Sequence, residues 1–384
     1  PALAEAYYQR VPLLVVTADR PHEWIDQGEG QSIRQTEVFR NFVKGSFEVR
    51  GEAQEGDGAW YNARLMDEAM RLCTDRVPGP VHLNFPLQEP LYRSGDSALQ
   101  AVKSMERIAV HSALSAETRN NLQQEIDREG KVMVLAGQLP QEEALQHALA
   151  RFSKRSNVLV LTEAHSHLTD ERYITTIDRF LAAVDESEHD ALRPNLLITI
   201  GHNIISRKIK QLLRSGNHTH WHIDITGEGL DTLKHLSRII PQSPAEFFDA
   251  MGEGESTNSD YQSRWLERHI KSRHRSFEYM SQAAWSDLLA FESIHAQIPT
   301  GTLVQLGNSS AIRYVLLSDS RSDLKYFGNR GVAGIDGCSS TAVGAAQKHV
   351  GQTMLISGDL GFFYDLNAWW NDLPKSGIKV IIIN

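Results

Sequence analysis

The residues best suited to chemistry stand at the ends of two apolar runs near the C-terminus. Thr353-Met354-Leu355-Ile356-Ser357 reads as a buried strand and is followed by Gly358-Asp359-Leu360. A second run, Ile378-Lys379-Val380-Ile381-Ile382-Ile383, is followed by Asn384. A carboxylate off one strand and an amide off the next would offer oxygen ligands to a hard cation such as Mg²⁺ and its phosphate partners. Asp359 would sit at the carboxyl end of a strand, where α/β sheets bind ligands. Leu360 would open a helix whose free N–H groups favour phosphate. Strand, Gly-Asp, helix is also the pattern of a simple helix cap, and position alone leaves both open. A chain that stops on the last residue of an apolar strand is expected to be part of a longer one.

Three further clusters carry polar chemistry. Gly328-Asn329-Arg330-Gly331-Val332-Ala333-Gly334-Ile335-Asp336-Gly337 places four glycines in ten residues, which lets backbone approach a ligand closely. The alternative is a tight turn before the capped helix that Ser339, Ser340 and Thr341 would open. Gly307-Asn308-Ser309-Ser310-Ala311-Ile312-Arg313 follows a strand directly. If a helix starts there, Ser309 and Arg313 share a face, and Arg313 suits a bidentate carboxylate; a surface arginine would look the same. Thr17-Ala18-Asp19-Arg20-Pro21, with Gln31 beyond it, places an arginine in a fixed loop after a strand. That suits an anion, or an Asp19–Arg20 surface pair. Arg207 and Lys208 also follow an apolar run and suit either an anion or a solvated helix start. His220 and His222 would share a strand face without a third ligand, so zinc is not expected. No nucleophile elbow is present, and neither cysteine sits in a protease-like context.

The elements that must position these residues read as α/β with parallel sheets. Strands are expected at Leu13–Thr17, Val81–Asn84, Val132–Ala136, Val158–Thr162, Leu196–Ile200, His220–Ile225, Leu303–Leu306 and the terminal pair. Helices are expected near Trp60–Thr74, Glu117–Arg128, Arg264–Arg275 and Ser339–Gln347. The blocks are 1–92, a linker at 93–115, 116–250, a linker and helix at 251–275, and 276–384. With 384 residues, 41% hydrophobic and 23% charged, the composition is that of a globular chain with ample core. No apolar run approaches a membrane span, so no membrane partner is expected. Two cysteines cannot form a disulfide framework, which suits a reducing cytoplasm. A net charge of −9 argues against nucleic acid, and means that an acidic substrate would need clustered arginines.

Taken together, these segments resemble the thiamine diphosphate-dependent enzymes, and in detail the 2-succinyl-5-enolpyruvyl-6-hydroxy-3-cyclohexene-1-carboxylate synthases of menaquinone biosynthesis. The resemblance rests on Leu14–Pro21, Gly79–Pro86 with Glu89-Pro90-Leu91-Tyr92, and Gly307-Asn308-Ser309. It continues through Asn329-Arg330-Gly331 with Gly334-Ile335-Asp336-Gly337, and Gly358-Asp359-Leu360 with Asp365-Leu366-Asn367. It implies three doubly wound parallel-sheet domains: pyrimidine-binding, middle and diphosphate-binding, the first and third incomplete. It implies a homodimer or homotetramer, with cofactor between the first domain of one subunit and the third of another. The implied reaction is decarboxylation of 2-oxoglutarate and conjugate addition of the succinyl semialdehyde carbanion equivalent to isochorismate, with thiamine diphosphate and Mg²⁺ or Mn²⁺ as cofactors.

Residue by residue, the resemblance implies that Asp359 binds the metal and that Ile335 props the bent cofactor. Asn308, Gly358 and Leu360 would lie against the cofactor. Arg20, Gln31, Ser309, Arg313 and Arg330 would bind the substrates, each charge-assisted contact being worth roughly 1.5–3 kcal/mol. A family lysine falls on Arg207, with Lys208 beside it, which leaves its role open. The activating glutamate is expected upstream of residue 1, and Asn384 is expected to precede the second metal ligand. Another thiamine diphosphate-dependent decarboxylase or lyase, or a non-catalytic relative, would share part of this pattern. The three arginines speak against a decarboxylase of small apolar 2-oxo acids.

Overall fold

The computed structural model describes residues 1–51, 56–88, 105–108, 113–254, 258–373 and 377–384. The segment Glu89-Pro90-Leu91-Tyr92 and most of the expected linker at 93–115 lie outside the described residues. The chain forms two compact units, Pro1–Val110 and His111–Asn384.

In the first unit, β1 (Leu14–Asp19), β2 (Ser46–Glu48) and β3 (Val81–Pro86) form a parallel sheet in the order β1-β3-β2. Among the described residues this unit also holds helices α1 (Ala2–Tyr8) and α2 (Gly56–Cys73). α2 turns Leu65, Ala69 and Cys73 onto Val81 and Leu83 of the central strand, at the helical spacing that buries one face. β2 was not expected from the sequence, because Ser46-Phe47-Glu48 is too short and polar to form an apolar run.

The second unit holds two sheets. The larger contains β4 (Val132–Ala136), β5 (Val158–Thr162), β6 (Tyr173–Ile174), β7 (Leu196–Ile200), β8 (Thr219–Ile223) and β9 (Leu236–Ile240). All are parallel, in the order β6-β5-β4-β7-β8-β9, so the chain winds outward from β4 in both directions. Successive residues of β4 enter opposite cores, Val132 and Val134 on one face, Met133 and Leu135 on the other. That is why these strands read as unbroken apolar runs. One face is covered by α3 (Ala116–Arg128), α4 (Glu143–Phe152) and, after β9, α8 (Pro244–Met251). The other carries α5 (Ile177–Ala182), α6 (His189–Leu192), α7 (Arg207–Arg214) and the start of α9 (Tyr261–Gln282). β8 ends two residues earlier than expected, because Asp224 accepts from the Thr226 N–H at 2.8 Å and opens a turn. β6 and β9 are edge strands with short or interrupted apolar patterns, which hid them in the sequence.

After α10 (Asp287–Gln297) come β10 (Leu303–Leu306), α11 (Ala311–Tyr314), β11 (Lys325–Phe327), α12 (Cys338–Ala346), β12 (Thr353–Gly358), α13 (Asp359–Tyr364) and β13 (Ile378–Ile383). The sheet is parallel in the order β11-β10-β12-β13. From β10 the chain steps out to β11, then crosses to β12 on the other side. A crevice therefore opens between the carboxyl ends of β10 and β12, the place where such sheets bind ligands.

Candidate functional site

The crevice brings together the loops that carry most of the expected site residues. Leu306 pairs with Ile356 and Gly358 with Ile383, so Gly307-Asn308, Asp359 and Asn384 all leave the sheet at the same rim. The strands are tightly apposed there: a Cβ at Gly307 would lie 2.7 Å from Ser357 Oγ and 3.0 Å from Ser357 Cα. Glycine at 307 is thus a packing requirement of the crevice floor.

Asp359 does not cap a helix. Gly358 is the N-cap of α13, with no side-chain cap bond, and Asp359 is the first helical residue, so the helix starts one residue before the expected Leu360. The Asp359 carboxylate is half-buried and makes no hydrogen bond or ion pair among the described residues. Leu360 is exposed beside it. A Cβ at Gly358 would meet only Ile383 O, at 4.0 Å, so the rim is open at this point. Among the described residues, no three histidine, cysteine, aspartate or glutamate side chains converge on a point that would hold a metal.

Asn308 is buried and fully engaged. Its Nδ2 donates to the carbonyls of Asn329 at 2.7 Å and Gly334 at 2.6 Å, and its Oδ1 accepts from Arg330 Nη1 at 2.7 Å. One amide therefore ties the β10 loop to both halves of the glycine-rich run. Ser309 is exposed, with φ +79°, a backbone conformation costly for a residue with a side chain and found disproportionately at ligand sites. It precedes the four residues of α11, so Ser309 and Arg313 do not form the helical i, i+4 pair anticipated from the sequence. Arg313 is exposed on that short helix. Ile335 is half-buried, its Cβ 3.9 Å from where a Cβ on Gly361 of α13 would stand. Ala333 in the same run also holds a positive φ, +63°.

Asp365, a residue without an assigned role in the sequence reading, anchors the rim. Buried, it accepts from the N–H and the Oγ of Ser340, both at 2.6 Å, fixing the first turn of α12.

Arg20 and Gln31 belong to the first unit. Asp19 is buried and accepts from the Arg20 backbone N–H at 2.9 Å, from Asn84 Nδ2 at 2.9 Å and from Gln35 Nε2 at 3.2 Å. Asp19 is thus a buried group that shapes the loop, where a surface partner of Arg20 was the alternative anticipated. The Arg20 guanidinium lies 3.9 Å from Glu29. Gln31 is exposed at φ +61°. Behind them, His82 Nε2 donates to Thr17 Oγ1 at 2.7 Å, Thr17 donates to Asn84 Oδ1 at 2.8 Å, and Ser46 Oγ donates to His82 Nδ1 at 3.0 Å. Burial holds the His82 pKa below its ordinary value.

Sequence reasoning missed the support beneath Arg330. Arg330 Nη2 donates to Asn203 Oδ1 at 2.9 Å, in the loop after β7. His165 donates to the Asn203 carbonyl at 3.2 Å, and burial, with the Arg330 charge adding to it, pushes its pKa down to about 3, so the ring is neutral. Glu163, the residue after β5, is 1% exposed. Its carboxylate accepts from the Ile205 N–H at 2.8 and 3.0 Å and from the Ser206 N–H at 2.7 Å. Burial pushes its pKa up to about 7 against those bonds. A lone carboxylate directly after an apolar strand was the signal available for Glu163; nothing marked Asn203. Arg207 and Lys208 are exposed in the first turn of α7, which Ser206 caps by accepting from the Ile209 N–H.

A family model described as "Middle domain of thiamine pyrophosphate" matches residues 102–303. Curated relatives named 2-succinyl-5-enolpyruvyl-6-hydroxy-3-cyclohexene-1-carboxylate synthase match the whole chain. The Cytophaga hutchinsonii protein is 33% identical, over 100% of this chain and 69% of its own length. That of Porphyromonas gingivalis is 36% identical, over 100% and 68%, and that of Desulfotalea psychrophila 32%, over 100% and 70%. With three parallel-sheet α/β layers and similarity along its entire length, the chain belongs to the family of thiamine diphosphate-dependent 2-succinyl-5-enolpyruvyl-6-hydroxy-3-cyclohexene-1-carboxylate synthases.

Proposed function

We propose that the protein joins 2-oxoglutarate to isochorismate with loss of CO₂, making the cyclohexene carboxylate of menaquinone biosynthesis. The observation that carries this is the placement of Asn308, Arg330 and Asp359 around the β10/β12 crevice of a chain similar throughout to these synthases. Thiamine diphosphate, when bound, supplies the electron sink for decarboxylation of a 2-oxo acid.

The residues present fit such a cofactor. Asp359 offers a carboxylate uncommitted among the described residues, the donor type that Mg²⁺ or Mn²⁺ takes between a protein and a diphosphate. Gly358 and Leu360 flank it and line the approach, while Asn308 keeps the two loops of the crevice at fixed separation. Ile335 presents an apolar side chain over α13. Arg313 and Arg330 hold substrate carboxylates from the second unit, with Ser309 beside them; Arg20 and Gln31 are the corresponding polar groups of the first. Two dianionic substrates on a chain of net charge −9 require such local cations.

On this reading 1–92 is the pyrimidine-binding domain, 116–250 the middle domain and 276–384 the diphosphate-binding domain of a cytoplasmic homodimer or homotetramer. Among the described residues no helix is long and apolar enough to cross a membrane. The test is to mix the full-length protein with thiamine diphosphate, Mg²⁺, 2-oxoglutarate and isochorismate and follow isochorismate absorbance. Consumption that requires 2-oxoglutarate is expected. Turnover of pyruvate with isochorismate left untouched would overturn the proposal in favour of a simple 2-oxo acid decarboxylase.

A further inference from the structure

Arg330 lies in the glycine-rich loop beside β10, but part of its support comes from the other sheet of the second unit. Its two Nη groups donate to two amide oxygens, Asn308 Oδ1 at 2.7 Å and Asn203 Oδ1 at 2.9 Å. Two acceptors on different loops fix the plane of a guanidinium, which one alone would leave free to rotate.

The loop that carries Asn203 is held at every turn. Gly201 has φ +73°, and a Cβ there would stand 2.6 Å from Gln138 O, so only glycine lets the loop close on β4. His202 donates to Gln138 O at 2.9 Å, and Gln138 donates back to Asn203 O at 3.1 Å. His165 Nε2 reaches the same carbonyl, and Lys210 Nζ donates to Ile204 O at 2.8 Å. Glu163 clamps the N–H groups of Ile205 and Ser206. The side chain of Ile205 is buried in the core of the β10 sheet, among Phe291, Leu306 and Ile312. A six-residue loop of one sheet is thus built into the packing of the other, and its Asn203 side chain reaches Arg330.

We propose that Asn203 is a positioning and specificity residue: it sets the direction of the Arg330 guanidinium and so the affinity for a dicarboxylate substrate, with Glu163 fixing the loop from which it acts. This rests on the reading of Arg330 as a carboxylate-binding residue. A guanidinium turned out of plane loses bidentate contact while keeping its charge, so removing Asn203 acts on KM more than on kcat.

The experiment is a double-mutant cycle on the full-length protein, with KM and kcat measured for 2-oxoglutarate and isochorismate. Asn203→Ala is expected to raise the KM of at least one acid about tenfold, leaving kcat within about threefold and Tm near wild type. In an Arg330→Ala background the same change should add almost nothing, because the group it orients is gone. Asn203→Asp, equal in shape, keeps the acceptor but pairs its own carboxylate with Arg330; it should raise KM further than alanine without lowering Tm. Independent, multiplying effects of Asn203→Ala and Arg330→Ala would overturn the inference. So would Asn203→Asp with wild-type KM. If Arg330→Ala itself has wild-type KM for both acids, the substrate role of Arg330 fails and this inference with it. If Arg330→Ala is impaired while Asn203→Ala is not, this inference alone fails.

Discussion

Glu163 and Asp359 are both carboxylates at the carboxyl end of a central parallel strand, and they end in opposite employment. Glu163 follows β5 of a six-stranded sheet whose central strands are buried on both faces. There a carboxylate can survive only by finding donors, and it finds two backbone N–H groups of the neighbouring loop. Asp359 follows β12 of a sheet whose rim stays open, with Phe363 62% and Trp370 80% exposed nearby. It has no such donors among the described residues and remains half-exposed. The same strand-end geometry makes a structural clamp where the rim is closed and a ligand-ready group where it is not. Burial of the rim, not the presence of an acid on it, separates the two.

The comparison breaks most readily at Asp359. Asp359→Ala should cost activity more than the roughly 10–100-fold typical of losing an outer-shell partner, while the Tm without cofactor stays within a few degrees of wild type. A large fall in Tm would make Asp359 structural after all.

The closed sheet should fail instead by pH. Burial depresses His165 to about 3 and His167, His218 and His220 to about 4, with His295 of α10 also at about 4. A depressed histidine stabilises fully above its unfolded pKa near 6.5, and that stability is lost as pH falls toward the folded value. Glu163 runs the other way: its raised pKa favours the fold below about 4.5 and the benefit is lost as pH rises through about 7. Five histidines outweigh one glutamate, so chemical denaturation should report several kcal/mol less stability at pH 5 than at pH 7, from up to about 2 kcal/mol each. A flat profile between those pH values would mean that the histidines are solvated.

Glu163→Ala should lower stability by about 2–4 kcal/mol, since it strands buried N–H groups at about 1–3 kcal/mol apiece. Unchanged denaturant midpoints with lost activity would reverse its assignment and sharpen the case for chemistry on the middle sheet. The smallest expected effect is at Arg313, exposed and outside the Asn203 network. Arg313→Ala should raise a substrate KM by about tenfold, near the low end of a charge-assisted contact, with thiamine diphosphate affinity unchanged by calorimetry. Equal loss of both would move Arg313 from substrate to cofactor.

Most of the strands were legible because parallel strands buried on both faces leave unbroken apolar runs; β4, β5, β7 and β10 begin and end where the sequence placed them, and so does β13, an edge strand that happens to carry an apolar run. β2, β6, β9 and β11 were not, because edge strands need fewer apolar residues and are defined by a partner's backbone. The motif loops around Asn308, Arg330 and Asp359 were legible by their glycines and polar residues. Their internal wiring was not: no local pattern shows that the Asn308 side chain bonds to Asn329, Gly334 and Arg330.

By itself the sequence determined the α/β class, the family and the loops that hold the candidate site, since periodicity, glycine spacing and local motif are properties of neighbours along the chain. Only the tertiary structure decided that Asp359 is no cap, that Ser309 and Arg313 do not share a helix face, and that Asn203, 127 residues before Arg330, shares its guanidinium with Asn308. Contacts of that kind are set by the crossing of one sheet's loop into another's core, and no local pattern of residues encodes where two sheets meet.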